Sequence, residues 1–158
     1  MARKASANSE SSRGFYDIIG IVFMCFAALL LAALLSYDPR DVPANALPTN
    51  PSVHNWIGPF GARLAYYCFL WIGAAAFVLP VLLFFVGLGC FFDAFSYLRR
   101  RWAWALILLV CCMGLLDLYK EHLGKLHDNL GAPVGGILGS YLNQHFCGEC
   151  FGTAGATI

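Results

Sequence analysis

The chain reads as an all-α membrane protein with three transmembrane helices and an outer amphipathic segment, and three observations predict that class. Leu64 to Phe92 runs without one charged side chain. At about 1.5 Å per residue such a helix extends about 43 Å, more than the ~30 Å of hydrocarbon in a bilayer. Ile18 to Tyr37 is a second uncharged run, and it meets the length of about 20 residues that a spanning helix needs. The composition is 59% hydrophobic and 12% charged, against roughly 25% charged in soluble domains, so too few polar side chains exist to cover a water-facing surface.

Taken in order, residues 1–14 form a cytoplasmic tail and 15–37 the first transmembrane helix. An outer loop, 38–63, leads to the second helix, 64–92. A cytoplasmic loop, 93–101, precedes the third helix, 102–119, whose apolar run is broken near its end by Asp117. Residues 120–158 form an outer segment. A cleavable signal peptide fits the first run less well, because a signal core is typically about 7 to 15 residues and Ala44-Asn45-Ala46 lies well past its end.

Orientation follows from the basic residues. With the N-terminus inside, the short segments 1–17 and 93–101 carry six Lys or Arg (Arg3, Lys4, Arg13, Arg99, Arg100, Arg101), while the much longer 38–63 and 117–158 carry four (Arg40, Arg63, Lys120, Lys125). The positive-inside rule then puts the N-terminus in the cytoplasm. Tyr66, Tyr67, Trp71, Phe95, Tyr97, Trp102 and Trp104 fall near the edges of the spans, where amphipathic rings favour the headgroup layer.

Within the second span Pro80 lacks a backbone donor and is expected to kink the helix near Leu79, with Gly73, Gly87 and Gly89 allowing close helix approach. The first two spans hold no ionisable group of the kind ion pathways use, which counts against a channel or transporter. From Val134 to Phe146, apolar Val134, Ile137, Leu138, Tyr141, Leu142 and Phe146 recur at three- and four-residue steps. That period predicts an amphipathic helix over 134–146, with Pro133 in its first turn.

No Gly-x-x-x-x-Gly-Lys-Ser/Thr loop occurs, so no nucleotide cofactor site and no catalytic residue can be assigned. Ten basic residues are offset by nine acidic ones, and the one dense cluster, Arg99 to Arg101, suits lipid headgroups at the inner face, so direct nucleic-acid binding is not expected. Cys25, Cys68, Cys90, Cys111 and Cys112 lie in the apolar runs, where a thiol acts as a small apolar side chain. Cys147 and Cys150, in Cys-x-x-Cys spacing on the outer side, suit a disulfide or a free pair. Thiol-disulfide exchange is the enzymatic alternative, and a zinc site would need His145 with His122 or His127, at a spacing of no standard finger.

Gly58-x-x-Gly61-Ala62 recurs as Gly152-x-x-Gly155-Ala156, each after an outward-going helix. Together with Ser36-Tyr37-Asp38-Pro39, Asn55-Trp56-Ile57-Gly58-Pro59-Phe60-Gly61, the Leu79-Pro80 step and Gly135-Gly136-Ile137-Leu138-Gly139, this order resembles the N-terminal membrane region of the FtsK/SpoIIIE DNA translocases over residues 15–158. The resemblance implies a four-helix anchor, its fourth helix missing from this chain, that holds a hexameric motor at the division septum of a bacterial cytoplasmic membrane. It implies the lipid bilayer, further copies of the chain and division proteins as partners. It also implies structural roles for Asn55, Gly58, Gly61, Pro80, Gly136, Gly139, Gly152 and Gly155, and none for the Cys147–Cys150 pair.

Overall fold

A computed structural model describes residues 2–45, 48–92, 102–123 and 130–147, with side chains for 14–45, 48–92, 103–123 and 130–145. Every regular element among these residues is helical. Helix α1 is Ala2–Leu35, α2 is Gly58–Ile72, α3 is Val78–Phe91, α4 is Trp102–Leu118 and α5 is Gly136–Leu142. Short 3₁₀ turns occupy Pro39–Asp41 and Gly73–Phe77, and a π turn, Asn143–Cys147, continues α5. Gly14–Leu35 and Gly58–Phe91 are long and apolar enough to cross a bilayer, and Ala103–Leu118 is a shorter apolar helix.

Helices α1 and α3 form an antiparallel pair. Gly20 lies against Gly87, Cys90 and Phe91, so near that a Cβ on Gly20 would stand 2.8 Å from the Phe91 ring and 2.9 Å from the Gly87 carbonyl oxygen. At the other end Leu30 and Leu34 share one apolar cluster with Ala76, Leu79 and Leu83. Along the outside of the pair Ile18, Val22, Leu29 and Val81 remain exposed. That pattern suits a lipid surround, in which the helix exterior gains nothing by being covered.

The second apolar run is not one rod. It breaks at Gly73, whose φ of 66° and ψ of −150° lie in a region essentially restricted to glycine. The expected kink at Leu79 is therefore corrected: the break lies six residues earlier. Pro80 is the third residue of α3, just after the Gly73–Phe77 3₁₀ turn, whose Ala75 and Ala76 carbonyls accept the Val78 N–H and carry the helix into α3. The amphipathic segment also differs from its expected bounds. Its α-helix starts at Gly136 rather than in the turn of Pro133, and passes to a π turn at Asn143. A Gly136 φ of 68° is incompatible with a helix running through from Val134.

The core collects at the end of the bundle where α1 finishes. Leu30, Leu34, Ala65, Phe69, Ala76, Leu130 and Ala132 form its larger part, and Ala75, Leu109 and Met113 a smaller one between the Gly73–Phe77 turn and α4.

Candidate functional site

Two junctions hold that end together, and between them they contain all the described residues singled out by motif except Pro80. The first joins the 38–57 loop to the end of α1. Ser36 Oγ donates to the Ala32 carbonyl (2.7 Å) and accepts the Trp56 backbone N–H (3.0 Å). Buried Asn55 donates from Nδ2 to the Ala33 carbonyl (2.8 Å) and accepts the Ile57 N–H at Oδ1 (3.1 Å). The bonds from Trp56 and Asn55 thus tie the loop to a helix terminus whose last carbonyls would otherwise lack partners. Gly61 is required beside Asn55, because a Cβ there would collide with Asn55 Oδ1 and with Ile57 Cβ. Gly58 has φ +77° and starts α2, with Pro59 in the first turn.

Asp38 and Asp41 close the same loop. Asp38 caps the 3₁₀ turn by accepting the Arg40 N–H at 2.9 Å. Asp41, its side chain wholly shielded, accepts from Asn50 Nδ2 (2.7 Å), the His54 N–H (3.0 Å) and the Asn55 N–H (2.9 Å). Burial by itself raises the Asp41 carboxyl, but the bonds from Asn50, His54 and Asn55 outweigh it and hold the group below its ordinary value. Asp38, Asp41 and His54 bring ligand atoms within 4.8 Å of one another. Both Asp41 oxygens already accept N–H groups, so the cluster works as a loop clasp.

The second junction is built from backbone. Gly73 and Gly136 face each other so closely that a Cβ on Gly73 would strike the Val134 carbonyl, and one on Gly136 would lie 2.6 Å from the Gly73 nitrogen. The Ala74 N–H bonds the Val134 carbonyl at 2.8 Å. On the opposite side of the same segment, a Cβ on Gly135 would meet Asp117 Cβ at 2.6 Å, and one on Gly139 the Met113 carbonyl at 2.8 Å. The Gly135-Gly136-x-x-Gly139 segment is thus a plate wedged between the Gly73 break and α4, thin enough for main chain to touch main chain on both faces.

Asp117 locks the plate. It is 3% exposed, and its carboxylate accepts from Ser140 Oγ (2.8 Å) and Asn143 Nδ2 (3.0 Å). The sequence marks Asp117 as the charge that interrupts the third apolar run, and Ser140 and Asn143 as polar positions among apolar ones. What it does not reveal is that they are partners, since they lie far apart along the chain. A buried carboxylate in an apolar helix implies donors nearby, and two polar side chains three apart on a later amphipathic helix are the signal that could have found them.

The motif residues at both junctions act on packing. Asn55, Gly58, Gly61, Gly136 and Gly139 are brought to one end of the bundle, with Pro80 in the first turn of α3. Cys147 closes the π turn by its backbone; its side chain, and Cys150, Gly152 and Gly155, lie outside the described residues.

The 4TM region of DNA translocase FtsK/SpoIIIE matches this chain over residues 12–158. Among curated proteins, a DNA translocase FtsK from Vibrio vulnificus (strain CMCP6) is 29% identical over 157 residues, covering 89% of this chain. The chain spans about 15% of that relative's length. No solved structure matches it. A match running from before the first apolar helix to the final residue takes in both junctions and every element that forms them, and the chain therefore belongs to the 4TM membrane region of the FtsK/SpoIIIE family.

Proposed function

We propose that this chain is the membrane-anchoring and assembly region of a septal DNA translocase, and that it serves chromosome segregation and cell division without catalysing a reaction itself. The observation that carries this reading is the family match over residues 12–158, whose description names a DNA translocase. The distribution of packing supports it. The molecule concentrates its specific contacts at one end of the bundle and leaves an apolar exterior along α1, α3 and α4, as an anchor held among lipids and neighbouring helices requires. In the proposed placement the N-terminus and the Arg99 to Arg101 loop are cytoplasmic, and the loop end of the bundle lies outside. Copies associate through the membrane helices, and division proteins are the expected further partners.

Fused to a fluorescent reporter in a dividing bacterium, the full chain should gather at midcell. Uniform membrane fluorescence would remove the septal claim. Labelling from outside at Ser52→Cys in a background lacking other thiols should succeed in intact cells, and protection there would reverse the orientation.

A further inference from the structure

We propose that α2 is not part of a membrane span but an interfacial helix, lying in the headgroup layer at the loop end with its aromatic face against phospholipid. The inference rests on the membrane reading above. The Gly73–Phe77 turn rises about 2.0 Å per residue and α3 about 1.5 Å, so Gly73 to Phe91 extends about 31 Å. That is already the thickness of the hydrocarbon core, ~30 Å. The 15 residues of α2, about 22 Å of helix, are surplus to a crossing.

Packing gives the same division. In the antiparallel pair Gly20 meets Gly87, and Leu30 and Leu34 join Ala76, so the length of α1 is used up by Gly73–Phe91. Helix α2 sits on the finished end of α1 instead. Ala65 and Phe69 pack with Leu30, Leu34 and Tyr37, and the ring centroids of Tyr37 and Phe69 lie 5.0 Å apart. The glycine-only backbone of Gly73 marks where the chain passes from one helix to the other.

The other face of α2 has the composition of an interface. Phe60, Arg63, Tyr67 and Trp71 recur at three- and four-residue steps and are all exposed, Phe60 by 72% and Tyr67 by 56%. At the end of α1 on which α2 packs, Leu29 and Leu35 are exposed as well. The sequence of α2 contains Arg63 and no Asp or Glu, a charge complement to phosphate headgroups. Rings with polar handles beside a cation are what the boundary of a bilayer selects. In water the same face would be a contiguous aromatic patch without cover.

Tryptophan depth in vesicles tests this. The full chain, with Trp71 kept and Trp56, Trp102 and Trp104 replaced by Phe, is reconstituted into phosphatidylcholine brominated either near the carbonyls or deep in the chain. A reference protein carries tryptophan only through Phe84→Trp, near the middle of Gly73–Phe91. Shallow bromine should quench Trp71 about twofold more than deep bromine, with the order reversed at position 84. A protein with Tyr67→Trp and Trp71→Phe should repeat the shallow result if the first variant folds poorly. Deep quenching of Trp71 would make Gly58–Phe91 one span and overturn the proposal. An unquenched Trp71, beside a quenched tryptophan at position 84 in the reference, would put protein or water on that face and overturn it equally. If neither site is quenched by lipid, the membrane reading itself fails.

Discussion

The α1–α3 pair and the glycine plate between the Gly73 break and α4 both use glycine to bring helices close, yet they are different kinds of joint. In the pair, a Cβ on Gly20 would meet the Phe91 ring, Cys90 Cβ and the Gly87 carbonyl, and one on Gly87 would meet Met24 Cγ, the Gly20 carbonyl and the Met24 nitrogen, a mixture of side chain and main chain at helical backbone angles. In the plate, Gly73, Gly135, Gly136 and Gly139 meet main-chain atoms on nearly every side, and two of them hold positive φ. A side chain can turn away from an added methyl group; a carbonyl fixed in a helix or a capped turn cannot without breaking its own bonds. The plate, where main-chain contact and positive φ combine, is therefore the stiffer joint of the two.

The largest effect is expected of Gly136→Ala. The added Cβ collides with the Trp71 carbonyl and forces a non-glycine residue to φ +68°, so strain and overpacking act together and a loss of about 3 kcal/mol or more is expected. Thermal unfolding in detergent, followed by helical signal, should show it, and a melting curve equal to that of the parent would dismiss the plate as a rigid joint. Gly87→Ala should cost less, about 1–3 kcal/mol, because the added carbon overpacks against Met24 and the Gly20 carbonyl but no positive φ adds backbone strain.

Next in size is Asp117→Ala, which leaves Ser140 and Asn143 without their acceptor. A loss of about 1–2 kcal/mol is expected from two half-buried donors deprived of a carboxylate acceptor. A double-mutant cycle with Ser140→Ala should return a coupling of about 1 kcal/mol or more, and strict additivity would mean that the carboxylate does not hold the plate.

Acidification probes the loop clasp against both joints. The folded-state value of Asp41 is depressed, so the stability it contributes is fully present above the ordinary aspartate range and is lost as pH falls through that range to the folded value. Melting temperature should drop with pH over that window in the parent and drop less in Asp41→Asn, which cannot titrate. Parallel pH profiles for the two proteins would show that the clasp contributes nothing to that dependence.

The smallest effect is set by Gly114→Ala. Nothing lies within 4 Å of the added carbon on α4, and alanine is the better helix former by about 1 kcal/mol. A change between zero and a slight gain is expected, and a clear loss would place an unseen neighbour on that face.

Much of the packing role is legible in the sequence. Asn55, Gly58, Gly61, Gly136 and Gly139 stand out by their motif context, and each occupies a position where a positive φ, close backbone or a buried amide excludes other side chains. Asp117 is visible only as an irregularity in an apolar run, because what makes it a lock is two donors far along the chain. The sharp break falls at Gly73 rather than at Leu79 because the positive φ there needs a glycine, whereas Pro80 follows a 3₁₀ turn that runs on into α3.

Hydropathy alone determined that Ile18 to Tyr37 and Leu64 to Phe92 belong to a membrane class, because the transfer of apolar side chains depends on composition and length and scarcely on what lies beside them. Whether the second run is one helix or two depended on contact. Glycine at position 73 permits a helix as well as a break, and the choice falls to the break because Val134 and Gly136 arrive from a distant part of the chain to bond and pack against the opened backbone. That partner exists only in the folded molecule, so the division between α2 and α3 is a property of the tertiary structure.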